Sequence, residues 1–127
     1  MDQKTLVDAV REIFTQYDHN KNGYSLLMLY KQSLEQDKWD IAFSAKWLDK
    51  VAVRKIIFDI KTALSENEDL NNMINQAFPL QTNSAFVNYI TSAVSVSLSQ
   101  PSMPFNNITL NGVLIPVSIL LESSTPK

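Results

Sequence analysis

The chain has 127 residues, 45% of them hydrophobic, a formal charge of −2 and no cysteine. That length supports one hydrophobic core of ordinary size, and the apolar content argues against wholesale disorder. The mild acidity offers no basic stripe for nucleic acid, and the missing cysteines exclude disulfides, thiolate nucleophiles and cysteine-ligated metal.

Charge is distributed very unevenly. From Leu70 to Leu121 the chain runs 52 residues without an Asp, Glu, Lys, Arg or His, and past position 69 only Glu122 and Lys127 are formally charged. The run is no membrane span, because 21 of its residues are Asn, Gln, Ser or Thr, and no apolar stretch approaches the ~20 residues a spanning helix needs. It is expected either to bury itself in a sheet or to present a surface of neutral polar groups. The N-terminal Met1-Asp2-Gln3-Lys4 has no apolar leader-like region, so the expected location is the cytoplasm. On that expectation the sequon at Asn107-Ile108-Thr109 is a chance match.

In chain order, Leu6, Ala9, Val10, Ile13, Phe14 and Tyr17 recur on one helical face, predicting a helix over 3–17. Asp18-His19-Asn20-Lys21-Asn22-Gly23 breaks it. Residues 25–36 are ambiguous: Leu26, Leu29, Tyr30 and Leu34 suit a helix capped by Ser25, but Leu27 and Met28 fall off that face. The period then changes to two, and Trp39, Ile41, Phe43 and Ala45 alternate with Asp40, Ala42 and Ser44 as a strand. Asp49 is a candidate cap for a helix bearing Ala52, Val53, Ile56, Ile57, Ile60 and Leu64. Ser65-Glu66-Asn67-Glu68 has capping-box spacing and predicts a further helical turn.

Met73 to Leu80 reads as a strand, followed by a helix from Asn83 or Ser84 carrying Phe86, Val87, Ile90 and Ala93. Val94, Val96 and Leu98 alternate with Ser95, Ser97 and Ser99, which predicts a one-sided strand over 93–99. After Pro101 and Pro104 come Ile108-Thr109-Leu110, Asn111-Gly112 and Val113–Leu121, the pattern of a tight hairpin. Pro116 has no N–H, so it favours an edge or a bulge.

These elements predict one α/β domain over 1–127, bordering on α+β. It has a helical region over 1–36, a mixed sheet of about five strands with helices over 39–122, and a frayed tail over 123–127. The helix-separated strands near 39–45, 73–79 and 93–99 are expected to pair in parallel, and the last three strands to form an antiparallel meander.

The chemistry-bearing motifs are few. Asp18-x-Asn20-x-Asn22-Gly23 copies the opening of a calcium loop, but the position of the bidentate glutamate holds Leu29, so tight calcium binding is not expected. His19 is the sole imidazole, which leaves little for a histidine triad. The two glycines, Gly23 and Gly112, each follow an asparagine, so no glycine-rich phosphate loop exists. No metal and no cofactor is implied.

Two functions are carried forward. The first is a non-enzymatic interaction module: a small inhibitor, adaptor or toxin-neutralising (immunity-type) protein that covers a partner's surface. Its partner is another protein or a second copy as a homodimer, with neither nucleic acid nor membrane involved. Its candidate contacts are Ser95, Ser97 and Ser99 on one strand and Asn106, Asn107 and Thr109 on the hairpin, because neutral polar groups lose less than charges on desolvation. The alternative is a small-molecule-binding domain or small enzyme with a cleft around Asp40, Asp49, Trp39 and Trp47.

Overall fold

A computed structural model describes residues 2–18, 23–48, 53–96, 101–110 and 113–124. Helix α1 spans Gln3–Gln16. It is followed by strand β1 (Leu26–Lys31) and strand β2 (Trp39–Ser44). Helices α2 (Val53–Ser65) and α3 (Glu68–Met73) lead into strand β3 (Ile74–Pro79). Helix α4 (Ala85–Ala93) precedes strands β4 (Met103–Leu110) and β5 (Val113–Ser123). The five strands lie in the order β3-β2-β1-β5-β4. Only β2 and β3 run parallel; the other neighbours are antiparallel. The expected mixed, helix-flanked sheet with a C-terminal antiparallel hairpin is the fold observed.

Sequence and structure part company first at residues 25–36. They hold β1 and the loop after it, with no helix. β1 is the middle strand and is covered on both faces. Leu27 and Leu29 join a core with Leu6, Val10 and Phe14 of α1, Ile56, Ile60 and Leu64 of α2, and Leu70 of α3. Leu26, Met28 and Tyr30 point the other way, into a second core with Phe86, Val87 and Ile90 of α4. A strand buried on both sides loses its alternation and reads as a continuous apolar run. That is why Leu27 and Met28 fit no helical stripe.

β2 is likewise buried throughout, with Ile41 and Phe43 in the first core and Ala42 in the second. Phe14 meets Tyr24 and Phe43 edge-on, with ring centroids 5.5 and 5.1 Å apart. Arg11 ties α1 to the sheet by donating to the Leu121 carbonyl at 3.0 Å.

Local caps set the helix ends. Asp2 accepts from the Thr5 amide at 2.8 Å, and Ser84 from the Val87 amide at 3.3 Å. The turn expected at Ser65 is capped instead by Asn67, which accepts from the Leu70 amide at 3.1 Å; Ser65 is the last residue of α2.

The expected strand over 93–99 is a second correction. Ala93 ends α4, and the following extended segment makes a single antiparallel bridge, Val96 to Ser123, with residues 97–99 outside the described set. The alternation survives as burial, since Val96 is buried and Ser95 exposed, but the segment is held from the end of β5. The Ser123 hydroxyl donates to the Val94 carbonyl at 2.8 Å. Among the described residues the meander therefore reduces to the β4–β5 hairpin, and the parallel set to β2 and β3.

Asn111 and Gly112 lie outside the described residues, and the pair Leu110–Val113 flanks them. Within the hairpin, Asn107 is the one described non-glycine residue with positive φ, +58°. It falls in the rung where Pro116 would be its partner. Past it Ile115 joins the second core, whereas Val117 and Ile119 join the first, so the hairpin turns over at this point. The β5–β1 ladder begins at Val117, directly after the residue that has no N–H to give.

Two measurements test this reading. Leu29→Ala should cost about 2–5 kcal/mol, whereas Leu34→Ala, at a side chain 78% exposed, should change stability by less than about 0.5 kcal/mol; equal losses in chemical denaturation would restore the helical reading. Asn107→Val should lose about 1–3 kcal/mol by forcing a β-branched residue to positive φ, while Asn107→Gly should match or exceed the parent.

Candidate interaction edge and buried carboxylates

β4 is an edge strand. It pairs with β5 along its whole length, and no described residue pairs with its other side. Met103, Pro104, Asn106, Asn107 and Thr109 are exposed, and no residue of the strand is charged. Edges of this kind are normally guarded by charge, proline or a bend, because unpaired N–H and C=O groups template a further strand. Here Pro104 and the bend at Asn107 divide the open ladder, but no lysine or glutamate guards it. β3, the opposite edge, is also uncharged. It is shorter, and its Asn75 is engaged inward on Asp40.

The sequence-derived contact residues divide accordingly. Asn106, Asn107 and Thr109 lie exposed on β4. Ser95 is exposed just after α4, in the segment that bridges to the end of β5, and so is not on a strand beside β4. Ser97 and Ser99 lie outside the described residues.

Of the alternative cleft, the described residues Trp39, Asp40 and Trp47 lie apart. Trp39 and Asp40 are consecutive in β2 and point to opposite faces of the sheet. Trp39 carries the Lys31 ammonium 4.7 Å from its ring centroid. Trp47 sits past the other end of β2, packed on Tyr24 at 5.9 Å between centroids, and Asp49 lies outside the described residues. Both tryptophans belong to the first core.

Sequence reasoning missed two buried polar clusters. In the first, Asp40, Tyr30 and Ser118 occupy one rung across β2, β1 and β5, and all three are buried. Asp40 accepts from Asn75 Nδ2 at 3.0 Å and Gln36 Nε2 at 3.4 Å, so neutral amides rather than a cation solvate the carboxylate. Burial, with the Asp40 charge adding to it, pushes the Tyr30 phenol up to about 12, against a smaller downward pull from Gln32. Alternation could have placed Asp40 and Tyr30 on one face, but only once β1 was known to be a strand.

The second cluster closes the α1–β1 connection. Asp18 Oδ2 accepts from the Gly23 amide at 2.7 Å. Glu122, from the end of β5, accepts the next amide, that of Tyr24. The Tyr24 hydroxyl donates to the Phe14 carbonyl at 2.6 Å, and burial raises its pKa strongly, with the nearby Asp18 and Glu122 charges adding to the rise. Gly23 has φ +79°, and a Cβ there would lie 2.9 Å from Glu122 Oε2. Glycine is thus required twice, by conformation and by space.

Among the described residues no three of His, Cys, Asp or Glu gather where they could hold a metal, and no helix is long and apolar enough to cross a membrane. Comparison with protein-family models, curated proteins and solved structures finds no match.

Two predictions follow from the clusters. A phenol whose folded pKa exceeds its unfolded value of 10 contributes stability that is full below pH 10 and is lost as pH rises through about 12. Denaturation midpoints should therefore fall across pH 10–12, and Tyr30→Phe should flatten that fall; an unchanged alkaline slope would remove Tyr30 from the account. Gly23→Ala should cost about 1–3 kcal/mol, a loss readable in a thermal melt, and a parent-like melt would show that Glu122 moves aside freely.

Proposed function

We propose that the protein is a non-enzymatic interaction domain of the inhibitor or adaptor kind that binds another protein molecule by strand addition to β4. The observation that carries this reading is the uncharged, exposed open edge of an eight-residue strand. A partner strand would gain main-chain hydrogen bonds along β4 and would have no charge to desolvate. The bend at Asn107 requires the partner to match two short ladders in sequence, which favours one docking register over sliding.

A second copy of the chain is the partner with the strongest physical case. In a two-fold β4–β4 pairing each residue faces a residue of the same strand, so a charge near the axis would meet its own copy. An uncharged strand meets this condition over its full length. The neighbouring exposed Met103 and Leu114, 40% and 57% accessible, supply apolar surface beside the ladder.

Sedimentation velocity over a range of protein concentrations tests the proposal. The parent should associate, and Thr109→Lys should be monomeric with an unchanged melting temperature, because an exposed edge position tolerates a charge that a paired one does not. A parent monomeric at every concentration rules out the second copy. Association that survives both Thr109→Lys and Asn106→Lys places the interface elsewhere and defeats the β4 reading.

A further inference from the structure

The geometry points to a carboxylate-binding groove at the start of β4, which captures the C-terminal end of a strand added to that edge and so fixes the direction in which the strand lies. Strand addition to β4, as proposed above, is the premise. The partner selected is then one that a second copy does not supply: a chain that ends, extended, in a free carboxylate.

Three observations converge on it. The first is a groove of about 600 Å³ between α1 and the residues that lead into β4, lined by Lys4, Val7, Asp8, Arg11, Pro101 and Ser102. That volume lies in the range of ligand pockets. Lys4, Asp8 and Arg11 recur at i, i+4 and i+7, so one stripe of α1 forms a wall of it. The second observation is that the two cations are unpaired. Among the described residues the one ion pair is Lys55–Asp59, so neither Lys4 nor Arg11 holds a carboxylate, and Asp8 holds neither of them. The Arg11 guanidinium is partly buried, with Nη2 fixed on the Leu121 carbonyl at 3.0 Å and Nε buried without an acceptor. A cation held in this way is partly stripped of water with no counter-charge, and a carboxylate is the anion that a guanidinium fork matches in shape.

The third observation is where the groove lies. β4 begins at Met103, directly after the groove residue Ser102, and runs away from it to Leu110. A strand added antiparallel to β4 therefore finishes beside Met103 and brings its carboxylate toward Lys4 and Arg11. A strand added in parallel begins there instead, and its ammonium meets two like charges. Lys4 and Arg11 against Asp8 leave the groove with one net positive charge, so the antiparallel direction is the one favoured. A second copy brings no carboxylate to this point, because its chain runs on from Leu110 into β5.

The test uses the full chain, kept dilute enough to be monomeric, and a dye-labelled peptide with the sequence of β4, Met-Pro-Phe-Asn-Asn-Ile-Thr-Leu. The peptide is made once with a free C-terminal carboxylate and once as the amide, and binding is read by fluorescence anisotropy. The free acid should bind about tenfold tighter at low salt, and added salt should shrink that preference. Lys4→Gln and Arg11→Gln should each remove most of it, and Asp8→Asn should enlarge it. Should Arg11→Gln fail to fold for want of the tie to Leu121, Lys4→Gln decides, since Lys4 is exposed and makes no such tie. Equal binding of acid and amide overturns the groove and leaves strand addition standing. Binding of neither defeats strand addition and the groove with it. An acid preference unchanged by Lys4→Gln also overturns the groove.

Discussion

Burial of β1 on both faces is the constraint from which the rest of the architecture follows. Leu27 and Leu29 need a cover on one side, and Leu26, Met28 and Tyr30 need one on the other. A strand in that position must be central, so β2 and β5 flank it and the remaining strands fall to the edges. The cover is unequal. Three helices pack on the first face, whereas α4, nine residues long, and the Val94–Val96 segment serve the second. The second face therefore carries the buried polar rung of Tyr30, Asp40 and Ser118, where hydrogen bonding does part of what apolar packing does opposite.

Legibility from sequence depended on how many sides of an element are wet. α1, α2 and α4 each have a polar face, and their periods gave their positions. β2 alternates in residue type even though both of its faces are buried, because Asp40 and Ser44 sit on the side facing the polar rung. β1 has neither a wet face nor an alternation of types, and its apolar run is shared by buried helices and central strands alike. The described part of the next run, Val94–Val96, departs from expectation differently. Its alternation is genuine, but alternation reports which side is buried, whereas a strand also needs a neighbour to bond to. Val96 meets that neighbour at one bridge, supplied by the far end of the chain.

The candidate edge was legible only in part for a related reason. The absence of charge over Leu70–Leu121 is visible by inspection, but sheet order decides which portion of that run meets water. Asn106, Asn107 and Thr109 lie on the edge strand β4, whereas Ser95 lies off it, in a segment that bridges to the end of β5. The carboxylate clusters were invisible for a stronger reason. Asp18 and Glu122 are joined through a strand pairing that no local pattern encodes, and Asp40 meets Asn75 only through the parallel β2–β3 register.

The charge partition also links the two ends of β5. At the end shared with β1's start, a buried glutamate is tolerated because a backbone amide and a glycine without a side chain make room for its head group. Along the middle and toward the hairpin, β5 and β4 carry no charge at all, and the strand that would most need one for protection is left without it. Selection for solubility alone would place lysine or glutamate at Asn106 or Thr109, since an exposed edge position accepts either at little cost to folding. Their absence, beside a first half of the chain dense in charge, is the feature that the proposed pairing of β4 with a further strand would explain.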